Sequence, residues 1–97
     1  MAVKRSNKYK IHLQELELKD GTQMGKSIEF DFENHDDIFK IIEQTKDTNR
    51  FRTQNENIQF IIGLKLFSEV MINNKNSPLF DDFIPAFKAF MKKLKGK

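Results

Sequence analysis

The chain has 97 residues, no cysteine or tryptophan, ten phenylalanines and a formal charge of +3. This is the size of one small domain. Without sulfur ligands or nucleophiles, disulfides, thiolate zinc sites, iron–sulfur clusters and cysteine catalysis are all excluded. The basic balance belongs to the two ends: residues 1–10 carry four cations and residues 88–97 five, with no acid in either stretch, and fourteen acids outnumber eight cations between them. Such a layout fits solvated ends on an acidic body better than the continuous basic stripe of a nucleic-acid-binding domain.

Residues 1–7 are expected to form a disordered basic arm ahead of a single domain that takes up the rest of the chain. Tyr9 to Leu18 then reads as a strand, with Tyr9, Ile11 and Leu13 on one face and His12 and Gln14 on the other. Leu16 and Leu18 fall out of phase with Leu13, which calls for a bulge near Gln14 and Glu15 or for cover on both sides of the strand's far end. Asp20-Gly21 signals a turn, and Ser27 to Phe32 alternates strictly, with Ile28, Phe30 and Phe32 inward. Together these segments predict a two-stranded antiparallel hairpin.

Asn34 is placed to cap a helix starting at His35, in which Ile38, Phe39, Ile41 and Ile42 share one arc. Residues 47–54 read as a loop whose one apolar member is Phe51. Thr53 and Glu56 have the spacing of a capping box and open a second helix reaching about Asn73. That helix is apolar almost all round, so it needs cover on two or more sides. Gly63 in its middle costs about 1 kcal/mol against alanine, and close approach of another element is the expected compensation. Ser77-Pro78 starts a third helical region. Leu79, Phe80, Phe83, Ile84, Phe87, Phe90, Met91 and Leu94 keep one arc across Pro85, which predicts a proline kink or two short helices sharing a face. The fold class is therefore α+β: a two-stranded antiparallel hairpin followed by three α-helical segments, a ββαα order with a Pro-kinked last helix.

Two residue groups have a chemical look. Asn34, His35, Asp36 and Asp37 combine an amide, an imidazole and two carboxylates, yet consecutive helical residues point about 100° apart, whereas shared ligation from a helix wants spacing of three or four. Helix capping explains the acids without a substrate. Arg50, Phe51 and Arg52 could stack on a base or on a partner, although a loop phenylalanine folded over the core is the commoner outcome. No nucleophile elbow, phosphate loop or metal-ligand spacing is present, so no catalytic residue, metal or cofactor is expected.

No run of eighteen apolar residues occurs, and the N-terminus lacks a signal-peptide pattern, so no membrane partner is expected and the cytoplasm is the default compartment. Two open sheet edges and a two-sided apolar helix favour self-association. The expected function is a small non-enzymatic protein-interaction module, homodimeric or bound to another protein, with Leu16 and Leu18 on the contact surface. The alternative is a nucleic-acid-binding accessory protein using the basic termini and the Arg50-Phe51-Arg52 loop.

Four blocks of this sequence, Phe-Glu-Asn-His-Asp-Asp-Ile-Phe (32–39), Gly-Leu-Lys-Leu-Phe-Ser-Glu-Val-Met (63–71), Pro-Leu-Phe (78–80) and Phe-Met-Lys-Lys-Leu-Lys (90–95), resemble a small bacterial domain-of-unknown-function family known mainly from structural genomics. The resemblance runs from Tyr9 to Gly96. It implies a stand-alone α+β protein of about this length from the bacterial cytoplasm, and it carries no assigned catalytic residue, ligand or partner.

Overall fold

The computed structural model describes residues 5–96. In chain order these form β1 (Asn7–Gln14), β2 (Ser27–Asn34), α1 (Ile38–Thr45), α2 (Gln54–Asn73), a 3-10 turn at Pro78–Phe80 and α3 (Phe83–Gly96). The α+β order follows the hydrophobic periodicity of the sequence. Contacts divide the chain into two units that meet within α2, the first ending at Ile61 and the second beginning at Ile62.

In the first unit, β1 and β2 pair antiparallel, with Tyr9 opposite Phe32, Ile11 opposite Phe30 and Leu13 opposite Ile28. The other face pairs Lys8 with Glu33, Lys10 with Asp31 and His12 with Glu29. Lys10 Nζ lies 3.0 Å from Asp31 Oδ1, and His12 Nδ1 lies 2.7 Å from Glu29 Oε2. Each exposed pair contributes only a few tenths of a kcal/mol. Their larger effect is on register, because a slip of one residue would move a charged row onto the apolar face. The ladder already includes Asn7, and Ser6 Oγ donates to Glu33 at 2.8 Å, so order begins within the segment expected to be an arm. Residues 1–4 of that arm lie outside the described residues.

β1 stops at Gln14 rather than Leu18. Beyond it, the Glu15 amide donates to the Lys26 carbonyl at 2.7 Å, and the Leu18 amide to the Thr22 carbonyl at 2.8 Å. The Gly21 amide closes back on the Leu18 carbonyl, and Gly21 takes φ +90°, a value that favours glycine. The phase change at Leu16 thus marks where the chain leaves the ladder, and neither a bulge nor two-sided cover is needed. Asp20 Oδ1 accepts from the Thr22 amide at 2.9 Å, and the hydrogen bonds from Thr22 hold its carboxyl below the ordinary value.

α1 begins three residues later than the sequence predicts. Its cap is Asp37, whose Oδ1 accepts from the Lys40 amide at 3.1 Å. Asn34 instead remains in the ladder and turns the chain, its side-chain oxygen accepting from the Asp36 amide at 2.9 Å. Tyr9 sets where the helix starts: its hydroxyl donates to the Asp36 carbonyl and accepts from the Ile38 amide, each at 3.0 Å. Its ring stacks on Phe32 at 5.3 Å and tilts against Phe39 at 6.1 Å.

At the far end of α1, Thr45 Oγ1 donates to the Ile41 carbonyl at 2.9 Å and accepts from Asn57 Nδ2 at 2.9 Å. α2 opens as predicted at Thr53, whose hydroxyl oxygen accepts from the Glu56 amide at 3.1 Å. The return limb goes to a different residue: the Glu56 carboxylate accepts from the backbone amide and the guanidinium of Arg52. Ile38 and Ile61 are the buried hydrophobic residues of this unit.

In the second unit, Met71 and Phe80 are buried. Phe67 meets Phe80 and Phe83 edge-on at 6.1 and 5.5 Å. Ser77 caps the 3-10 turn, accepting from the Leu79 amide at 3.3 Å. The last helix runs unbroken through the proline. Pro85 is the third residue of α3, where an amide has no intrahelical acceptor, and the break in helical structure falls earlier, at Asp81 and Asp82. Of the two arrangements predicted for this region, two helical pieces in sequence is the one formed.

Gly63 also departs from expectation. A β-carbon built there meets nothing within 4 Å, so no element approaches closely enough to require glycine. Gly63→Ala should therefore raise unfolding stability by about 0.5–1 kcal/mol, measured by urea denaturation; a loss of stability would reveal a contact at this position.

Candidate interaction surface

The hairpin's apolar face is covered unevenly. Near the start of α1, Tyr9 and Phe32 are half-buried, whereas Leu13 is 65% and Ile28 59% exposed, and Phe30 is exposed too. Length accounts for the gap: eight helical residues span about 12 Å, while eight strand residues span about 26 Å. A helix as short as α1 cannot roof the whole ladder.

Past the ladder, Leu16 (78% exposed), Leu18 and Met24 add to the same end of the hairpin. Leu13, Leu16, Leu18 and Ile28 line one open groove of about 570 Å³, with Glu15, Glu17 and Lys26 among its polar members.

The structure thus brings Leu16 and Leu18, picked out for their phase, into a groove with Leu13 and Ile28, which the alternation assigned to the interior. The missing signal was length rather than pattern, since the short apolar run after Asn34 could not match an eight-residue ladder.

The other predicted residues have structural work. Phe51 is half-buried, its ring 4.9 Å from that of Phe60, and Arg52 pairs with Glu56 at 2.9 Å. Arg50 lies on the exposed loop beside them. Lys88, Lys92, Lys93 and Lys95 belong to α3 in the second unit. Of the four residues at 34–37, Asn34 and Asp37 shape the strand-to-helix turn, and His35 Nε2 lies 3.7 Å from Asp36 Oδ1 on an exposed ring. Among the described residues, no group of three or more histidines and acids is placed to hold a metal ion, and no helix is long and apolar enough to cross a membrane.

Asn57 was not anticipated. It is 4% exposed, and its Oδ1 is buried without a hydrogen-bond partner. It reads from sequence as an ordinary polar residue in the first turn of α2, and only the fold places it against Thr45.

No curated protein matches the chain. A crystal structure of a protein of unknown function from Pectobacterium atrosepticum is similar over 96% of this chain and 100% of its own, at 36% identity and a TM-score of 0.84. Residues 7–96 match the family described as a domain of unknown function with a solved structure, DUF3861. Fold, length and sequence agree on the assignment, and the chain belongs to the DUF3861 family.

Proposed function

We propose that the chain acts as a small non-enzymatic interaction module that associates with a second copy of itself, in the bacterial cytoplasm. The observation that supports this reading is the open apolar groove at the far end of the hairpin, lined by Leu13, Leu16, Leu18 and Ile28. Its water-exposed leucine and isoleucine side chains gain about 25 cal/mol for each Å² of apolar area covered, and a two-stranded sheet is marginal until something covers it. Nucleic-acid binding has less behind it, because the Phe51 ring lies against Phe60 and Arg52 is paired with Glu56.

Light scattering coupled to size exclusion, at low and at high salt, tests the reading. A dimer mass that persists in high salt is expected, because the contact is mainly apolar. A monomer at every concentration would overturn it.

A further inference from the structure

The ladder leaves one edge of β2 open. The Glu15 amide donates to the Lys26 carbonyl in the same register as the strands, so the pairs that exchange backbone hydrogen bonds are Leu13 with Ile28, Ile11 with Phe30 and Tyr9 with Phe32. The alternate residues of β2, Glu29, Asp31 and Glu33, therefore point their amides and carbonyls away from β1, and among the described residues no third strand joins the two. Their side chains share the polar face, where three acids meet Lys8, Lys10 and His12. On the opposite face Phe30 is 42% exposed, whereas Ile11 across from it is half-buried, so apolar cover is missing on the β2 side.

We propose that this edge takes up an extended basic segment of a partner protein as a third, antiparallel strand over residues 29–33. The pattern required is cation, apolar, cation, apolar, cation, and β1 shows that β2 accepts it: Lys8, Tyr9, Lys10, Ile11 and His12 lie opposite Glu33, Phe32, Asp31, Phe30 and Glu29. A side chain of a central strand has a neighbour on either side, so the same rows of β2 offer the same pairing to a strand on the other edge. A carboxylate accepts more than one donor, and the contacts from Lys10 to Asp31 and from His12 to Glu29 leave lone pairs for a second cation. Main-chain hydrogen bonds supply the attachment and the alternating side chains the selectivity. The charges also exclude rivals. A second copy adding its own β2 would set acids against acids, and one adding its β1 would make a head-to-tail contact that repeats without closing. The lining of the apolar groove stops at Ile28, so this edge is a separate surface and stands whether or not the chain pairs with itself.

The probe is a synthetic peptide, acetyl-Thr-Lys-Val-Lys-Val-Lys-Thr-amide, with a control in which glutamates replace the lysines, each added at millimolar concentration to the full chain at low salt. Amide hydrogen exchange read by nuclear magnetic resonance reports on the edge. The basic peptide should slow exchange severalfold at Glu29, Asp31 and Glu33, leave Phe30 and Phe32, already bonded to β1, unchanged, and bind more weakly as salt rises. The acidic peptide should have no effect. Asp31→Asn combined with Glu33→Gln keeps the shape of both side chains, with circular dichroism as the check on folding, and should weaken binding about two- to thirtyfold at low salt. No slowing, slowing by both peptides alike, slowing only at Lys8, Lys10 and His12, or equal affinity for the double variant would each overturn the proposal. So would protection of the Glu29, Asp31 and Glu33 amides that grows with the concentration of the free chain, since a second copy would then hold the edge.

Discussion

Asn57→Asp should destabilise the first unit by about 3–5 kcal/mol at pH 7, the cost of a buried charge with no compensating partner. The substitution barely changes shape, so the effect is electrostatic. Asn57 is buried, its Oδ1 already lacks a donor, and the hydroxyl that its amide nitrogen touches, on Thr45, has its proton committed to the Ile41 carbonyl. A carboxylate there would face the Thr45 oxygen that now accepts from Asn57 Nδ2 at 2.9 Å. At 4–8 °C per kcal/mol for a domain of this size, the melting temperature should fall by roughly 12–40 °C. Burial would raise the new carboxyl's native pKa above its unfolded value, so the native state binds more protons and the deficit shrinks as pH falls. Thermal unfolding of parent and variant at pH 7 and pH 4.5 checks both statements. A variant within 1 kcal/mol of the parent at pH 7 would mean that water or another donor reaches residue 57.

Tyr9→Phe should cost about 2 kcal/mol, although it removes a single oxygen. That oxygen serves two backbone groups, donating to the Asp36 carbonyl and accepting from the Ile38 amide. Both lie where the chain passes from β2 into α1, and an unmade hydrogen bond at a partly buried group costs about 1–3 kcal/mol. The ring's contacts with Phe32 and Phe39 would survive, so the loss isolates the hydroxyl. Chemical denaturation measures the cost, and hydrogen exchange should show faster exchange at the Ile38 amide. A cost below 0.5 kcal/mol would assign the helix start to the Asp37 cap alone.

Local chemistry made most of the fold legible in the sequence. Strict alternation from Ser27 to Phe32 sets β2 and, through its charges, the register with β1. Thr53 marks the start of α2 because its hydroxyl has one obvious amide to serve. Where two residues competed for one role, sequence alone chose wrongly: Asn34 and Asp37 both suit a helix cap, and a contact 29 residues away, from Tyr9 to Ile38, helps decide between them. Pro85 misled in the same way, since its cost depends on whether it falls in the first turn of a helix or deeper. At the candidate surface, Leu16 and Leu18 stood out because they broke the alternation, whereas Leu13 and Ile28 kept it and so looked interior. Pattern tells which face of a strand is apolar; the extent of the covering helix decides how much of that face is buried.

Self-association through the exposed apolar end of the hairpin is tested most directly by nuclear Overhauser spectroscopy on a sample mixed from isotope-labelled and unlabelled copies, filtered so that only contacts between copies appear. Cross-peaks between the Leu13, Leu16, Leu18 and Ile28 methyls of one copy and those of the other are predicted. A dimer that shows intermolecular cross-peaks only elsewhere, with the Leu13 and Ile28 methyls still open to a soluble paramagnetic probe, would contradict the account.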